Sequence, residues 1–239
     1  MSTEPAPEIE TFTVAEVALN YPPAIRILNR WGLDYCCNGK IPFVKACEQR
    51  NLNPFTIWQQ IEEEILMAGT NHRREFSSWE TNLLIDFIIQ HHHEYLRLTI
   101  PQIKNLLHTV CSVHEDKPEL QEVKLHFETL ADDLMRHLPR EENVLFPALR
   151  RLSRPVVTEL QIQDSVHKTI TAMEHEHGRV GELIRAIRKL TNDYTVPSHA
   201  CPTFQLLFRL LEEFEYDVMQ HIHLENNILF PKAKHAYKN

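Results

Sequence analysis

Two stretches of this chain place a histidine and a glutamate four residues apart within nearly the same wording. His137-Leu-Pro-Arg-Glu141-Glu-Asn-Val-Leu-Phe-Pro147 and His221-Ile-His-Leu-Glu225-Asn-Asn-Ile-Leu-Phe-Pro231 both read H-x-x-x-E-x-N-[VI]-L-F-P. Subtracting 137 from 221 gives an offset of 84, which also carries His93 onto His177 and His91 onto His175. A fixed offset of this kind signals an internal duplication. At about 3.6 residues per turn, an imidazole and a carboxylate four apart stack on one helical face. Each repeat therefore offers one lone histidine and one histidine/glutamate pair.

Together these residues form a ligand inventory of His93, His137, Glu141, His177, His221 and Glu225. One H-x-x-x-E on a helix is ordinarily a solvated pair. Two copies in register, with two further histidines at the same offset, favour a metal centre built inside a bundle from carboxylates and imidazoles on facing helices. If Glu141 and Glu225 both bridge, each of two ions gains two imidazoles and two carboxylate oxygens. A solvent-derived oxo or hydroxo bridge would make five, leaving an octahedral ion one open position. Ligation by imidazole and carboxylate without thiolate suits iron or manganese, with zinc also admissible, and room for an expanded shell favours iron. Glu142, Asn143, Glu174 and Asn227 are candidates to hold the outer ring nitrogens. His91 and His92 belong at the surface or behind the ligands, and His175 and His223 rank below their neighbours. Neighbouring helical residues point about 100° apart, so only one of three consecutive histidines can face the metals.

The elements needed to position such a site are helices. Only 5 glycines in 239 residues, with Leu, Ile, Glu, Lys and Arg at helical spacing, indicate an all-α protein. The reading is a four-helix bundle over residues 78–239, preceded by a small helical domain over residues 1–70. Four short helices are expected in the small domain. The Thr13-Val-Ala-Glu16 capping box starts the first and Pro22-Pro23 ends it. The second runs from Ala24 to Trp31 with Gly32 as its cap, Pro42 starts the third, and Asn53-Pro54 starts a fourth that ends near Gly69. Residues 1–11 read as a frayed tail and 69–78 as a linker. The bundle helices are expected over Trp79 to about Cys111, bent near Pro101, then Glu119–Phe146, Val166–Thr191 and Thr203–Phe230. A crossover spans Ser153–Gln163, and Pro147 and Pro231 act as stops. Pro139, inside the first H-x-x-x-E, predicts a kink that would make the two halves unlike.

Cys36 and Cys37 are adjacent, in a turn marked by Asn38-Gly39. Adjacent Cα atoms lie about 3.8 Å apart across a trans peptide, closer than ordinary disulfides require. A helix C-terminus does not activate a thiol. A redox or iron-relay role is open to the pair, as is simple burial. The other cysteines, Cys47, Cys111 and Cys201, have no matching spacing. An odd count of 5 cysteines fits reduced thiols. A net charge of −8 provides no basic footprint for nucleic acid. The N-terminus lacks the marks of a signal peptide, and no stretch reaches the ~18 to 20 apolar residues that span a bilayer, so a cytoplasmic location away from membranes is expected.

With these motifs assembled, the chain resembles the repair-of-iron-centres family, hemerythrin-like di-iron proteins associated with recovery of iron–sulfur clusters after nitric oxide or peroxide stress. The resemblance rests on Asp34-Tyr35-Cys36-Cys37-x-Gly39-Lys40, the His93 helix running toward Pro101, and His137 with Glu141. It continues through Met173-Glu174-x-Glu176-His177 and His221-x-x-x-Glu225-Asn-Asn-x-Leu-Phe-Pro. It implies that the four histidines bind two irons bridged by both glutamates, in a cytoplasmic, stress-induced and often dimeric protein whose clients are damaged iron–sulfur proteins. Pro139 and Asn38 depart from the family pattern. Donation of iron to damaged clusters is the leading expectation. The alternatives are nitric oxide reduction at paired ferrous ions and reversible binding of O2 or nitric oxide.

Overall fold

The computed structural model describes residues 9–68, 76–153, 160–198 and 200–236. Among them there is no strand; one isolated antiparallel bridge joins Thr13 and Pro42. The chain divides into two compact units. One comprises residues up to Trp79 together with His223–Ile228, and the other Glu80–Ile222 with the residues from Leu229. Of the segments expected to lack regular structure, residues 1–8, 69–75 and 154–159 lie outside the described residues. Ile9, assigned to the frayed tail, is buried.

The first unit carries α1 (Val14–Asn20), α2 (Ala24–Arg30), α3 (Phe43–Gln49) and α4 (Pro54–Ala68). The Thr13 hydroxyl accepts from the Glu16 backbone N–H while the Glu16 carboxylate accepts from that of Thr13, completing the capping box. After α2, Gly32 takes φ 61°, and the Leu33 N–H reaches the Leu28 carbonyl at 2.8 Å, which closes the helix in a left-handed cap. Asn53 Oδ1 accepts from the backbone of Phe55 and Thr56 to start α4. The core gathers Phe12, Tyr21 and Phe43 around Trp58, with ring centroids 5.5–6.2 Å from the indole.

Four long helices follow in sequence from Thr81, all in the second unit except for residues His223–Ile228 of the last one. α5 runs through Thr81–Phe87, a π-helical turn Ile88–His93, and Glu94–Val113; α6 through Pro118–Arg140, a π turn Glu141–Leu145, and Phe146–Leu152. α7 spans Leu160–Leu190 without interruption. α8 runs through Pro202–Leu224, a π turn Glu225–Leu229, and Phe230–Ala236. Leu84, Ile88, Leu96, Ile103 and Leu107 of α5 are buried, as are Val123, Phe127, Leu130 and Leu134 of α6. Ile170, Met173, Ile184, Leu207, Phe214 and Val218 of α7 and α8 are buried too. Each side chain of this size contributes about 1.5–3 kcal/mol by leaving water.

Three expectations change. α5 begins at Thr81 rather than at Trp79. Pro147 and Pro231 do not stop their helices, because each comes after a π turn and stands at the head of a new α-helical segment, where a proline N–H is not needed. α7 begins at Leu160, inside the stretch read as a crossover, rather than at Val166. At Pro139 the helix runs on, with the Glu141 N–H reaching the His137 carbonyl. Glu141 and Glu225 both open a π turn, so the two halves share the same element pattern at the glutamates despite Pro139.

Away from the histidines, Arg188 is buried with Glu215. The guanidinium donates to Glu215 Oε1 at 2.6 Å and to Asp193 Oδ1 at 2.6 Å, and the Tyr194 hydroxyl donates to Glu215 Oε2 at 2.5 Å. Asn192, Asp193 and Tyr194 all have positive φ, from 48° to 57°, so this network ties down a strained turn after α7. Glu215→Ala removes the carboxylate that neutralises a buried guanidinium. Denaturant unfolding should register a loss of about 3–5 kcal/mol.

Candidate metal centre

The π turn of α5 accounts for a spacing that an α-helix would not give. Ile88 and His93 stand five apart, the i→i+5 step that π-helical hydrogen bonds span, and both are buried where a plain helix would rotate one of them away. His93 is 0 % exposed. Its Nε2 lies 3.2 Å from His221 Nε2 and 3.4 Å from Glu141 Oε2. On the other side, His177 Nε2 lies 3.1 Å from His137 Nε2, which is 2.8 Å from Glu141 Oε1. Glu225 sits one turn beyond His221 on α8. Donor atoms of His93, Glu141, His221 and Glu225 all fall within 4.8 Å of one another, and those of His137, Glu141, His177 and Glu225 do the same.

All six residues singled out from the repeat therefore come together, in two groups of four that share both glutamates. Glu141 and Glu225 are each 0 % exposed. Burying two carboxylates costs several kcal/mol apiece unless countercharge is supplied. The donor set of four imidazoles, two shared carboxylates and no thiolate fits two cations of the iron or manganese type, with zinc admissible.

Behind the histidines of the first repeat stand carboxylates and arginines. His93 Nδ1 is 2.6 Å from Glu142 Oε1, and Arg97 Nη2 donates to the same oxygen at 2.6 Å. His137 Nδ1 is 2.8 Å from Glu176 Oε2, while Arg140 donates to the other Glu176 oxygen. Burial works to raise the Glu142 carboxyl, but its contacts with His93 and Arg97 hold it below the ordinary value. The His137 contact is the largest influence on Glu176, and with Arg140 it takes that carboxyl down to about 2. Such carboxylates fix the ring orientation and make the facing nitrogen a better donor. In the second repeat, His177 lies against the Phe230 ring at 6.1 Å and His221 against the His92 ring at 5.7 Å.

Of the expected supporting residues, Glu142 takes that place. Asn143 instead donates to the Pro139 carbonyl, Glu174 pairs with Lys234, and Asn227 donates to the Tyr35 carbonyl. Glu176 is an addition; its signal is its place directly before His177, with Arg140 and Arg179 on facing or following turns. His91 and His175 are exposed. His92 is buried, with Nδ1 2.9 Å from Asp217. His223 lies 2.9 Å from Asn227 Nδ2, and burial pushes its imidazole down to about 4. Leu145, Phe146, Leu229 and Phe230 are core, the two phenylalanines stacking on His93 and His177. All five cysteines are thiols. Burial, followed by Cys37 and Asp34, pushes the Cys36 thiol well above its usual range.

A helical bundle with paired histidine/glutamate groups at its centre defines the class. The model of the hemerythrin HHE cation-binding domain matches residues 84–233, and that of the ScdA_N domain, a domain of unknown function, matches residues 11–65. The chain is 31% identical over 221 residues to a probable iron-sulfur cluster repair protein of Haemophilus influenzae, covering 92% of this chain and 95% of that one. It is 32% identical to the iron-sulfur cluster repair protein YtfE of Dickeya chrysanthemi, covering 92% of this chain and 96% of that one. The YtfE of Yersinia pseudotuberculosis serotype O:1b is 30% identical over the same shares. The chain belongs to the hemerythrin-like iron–sulfur cluster repair family, with an ScdA_N domain ahead of its HHE cation-binding domain.

If Glu142 and Glu176 act as described, Glu142→Gln and Glu176→Gln should each weaken metal retention about 10- to 100-fold. Chelator competition reads this directly.

Proposed function

We propose that this protein holds two iron ions at His93, His137, Glu141, His177, His221 and Glu225, bridged by both glutamates and a solvent-derived oxo or hydroxo group, and supplies iron to damaged iron–sulfur proteins in the cytoplasm. The observation that carries the reading is the pair of four-residue groups sharing Glu141 and Glu225, buried inside one bundle. The relatives' names add cluster repair as the purpose. Those names do not describe nitric oxide reductases or gas carriers, and no observation favours either alternative.

Iron in such a centre serves as cargo as well as cofactor. Imidazole and shared carboxylate grip ferrous ion less firmly than a thiolate cage does, so the donor set suits storage followed by release. Glu141 and Glu225 can each let go of one ion while keeping the other. A cavity of about 300 Å³ lined by Asp133, Arg136, His137, Arg140, Glu176, Arg179 and Val180 reaches His137, which offers a way to that side of the centre. Asp133 and Glu176 provide carboxylates along it, each held by arginine: Arg136 and Arg179 on Asp133, Arg140 on Glu176. Among the described residues no helix is long and apolar enough to cross a membrane.

Anaerobically purified protein should contain about two irons per chain, falling below half of that in His137→Ala and Glu225→Ala. The iron-loaded protein should restore activity to an enzyme with a damaged cluster, and the depleted variants should not. Restoration by free ferrous ion at equal concentration but not by the loaded protein would remove donation as the role.

A further inference from the structure

A second set of ligand-type residues lies in the first unit, in the turn after α2. Cys36 Sγ is 3.3 Å from Cys37 Sγ and 3.6 Å from Asp34 Oδ1. One ligand atom from each of the three residues falls within 4.8 Å of the others. We infer that Asp34, Cys36 and Cys37 form a mononuclear site for one borderline divalent cation of the ferrous or zinc type, separate from the histidine/glutamate centre.

The backbone is built to hold that shape. Asp34 Oδ1 accepts from the N–H groups of Cys36 at 3.2 Å and Cys37 at 2.9 Å, which fixes the carboxylate beside both sulfurs. Gly39 closes the turn so tightly that a Cβ there would stand 2.5 Å from the Tyr35 carbonyl oxygen and 2.7 Å from the Ala15 methyl. Within the same unit, the side-chain amides of Asn226 and Asn227 donate to the carbonyls of Cys36 at 3.1 Å and Tyr35 at 3.0 Å. Preorganised main chain of this kind is what distinguishes a ligand site from cysteines that merely fill space.

Magnitudes separate a cation from the other uses of two neighbouring thiols. Metal–sulfur bonds of about 2.3 Å at a tetrahedral angle put two sulfurs roughly 3.8 Å apart. The observed 3.3 Å needs an outward adjustment of about half an ångström, within reach of small χ1 rotations. A disulfide at about 2.05 Å would need more than twice that movement inward, between Cα atoms closer than disulfides prefer. A nucleophilic thiol wants positive surroundings, whereas Cys36 Sγ has the carboxylate of Asp34 3.6 Å away. A divalent cation reverses that objection, because it accepts two thiolates and a carboxylate together. Cys36 is buried, but Asp34 and Cys37 are only partly so, leaving a side from which an ion can enter. Three protein donors leave an ion of this type at least one coordination position open. Such a site can take up an ion and pass it to an outside ligand.

The inference needs neither the occupancy nor the role of the histidine/glutamate centre. The test is anaerobic titration of the full-length, iron-loaded, reduced protein with Co(II), on a Cys201→Ser background that removes the exposed thiol. One equivalent should produce thiolate-to-cobalt charge transfer in the ultraviolet. Cys36→Ser combined with Cys37→Ser should abolish it. His137→Ala, depleted at the other centre, should retain it. Asp34→Asn keeps an oxygen for the two backbone N–H groups but loses the charge, so it should weaken binding by about tenfold or more. Absence of the band at several equivalents, or its survival in the double serine variant, overturns the site. Unchanged affinity in Asp34→Asn overturns the three-donor assignment.

Discussion

Two carboxylates with no access to water set the terms for the four long helices. Glu141 and Glu225 must be neutralised where they sit, and the groups facing them are imidazoles. A histidine/glutamate core of this kind costs folding energy when empty and recovers it on binding cations, so metal uptake and bundle stability are linked. The phenylalanines stacked on His93 and His177 keep solvent from two of the rings, and low local polarity strengthens every contact inside.

The geometry that satisfies this constraint is not a plain four-helix bundle. Three of the four long helices contain a π turn, and each such turn begins or ends at a residue of the centre: His93, Glu141 and Glu225. A π turn inserts one residue and re-aims the next side chains without ending the helix. It also frees main-chain groups, which is why proline is tolerated at 147 and 231 immediately afterwards. Repeated prolines and π turns in α6 and α8 thus belong to one device for pointing a glutamate inward.

Much of this is legible in the residues alone, because a duplication leaves a numerical trace. The offset of 84 picks out six residues that the fold brings together, and helical periodicity with capping signals gives the fold class and most starts of the small helices. The rest stays hidden because local rules are overridden. A five-residue step from Ile88 to His93 violates α-helical periodicity, and only the three-dimensional path shows the π turn that absorbs it. Proline ordinarily predicts a stop, so the continuations to Leu152 and Ala236 leave no sign in the residue pattern. Glu176 escapes because its role has no counterpart at the same offset, where His92 stands instead.

That last difference says something about how a doubled chain ages. His93 and His137, from the first copy, are braced by Glu142 with Arg97 and by Glu176 with Arg140, and the residues one offset away from those glutamates are Asn226 and His92. Each four-residue group takes one histidine from either copy. The divergence therefore falls equally on both four-residue groups. A symmetric dimer of half-length chains would have to change both halves at once. Fusion into a single polypeptide lets Glu142 brace His93 while its counterpart, Asn226, holds the cysteine turn.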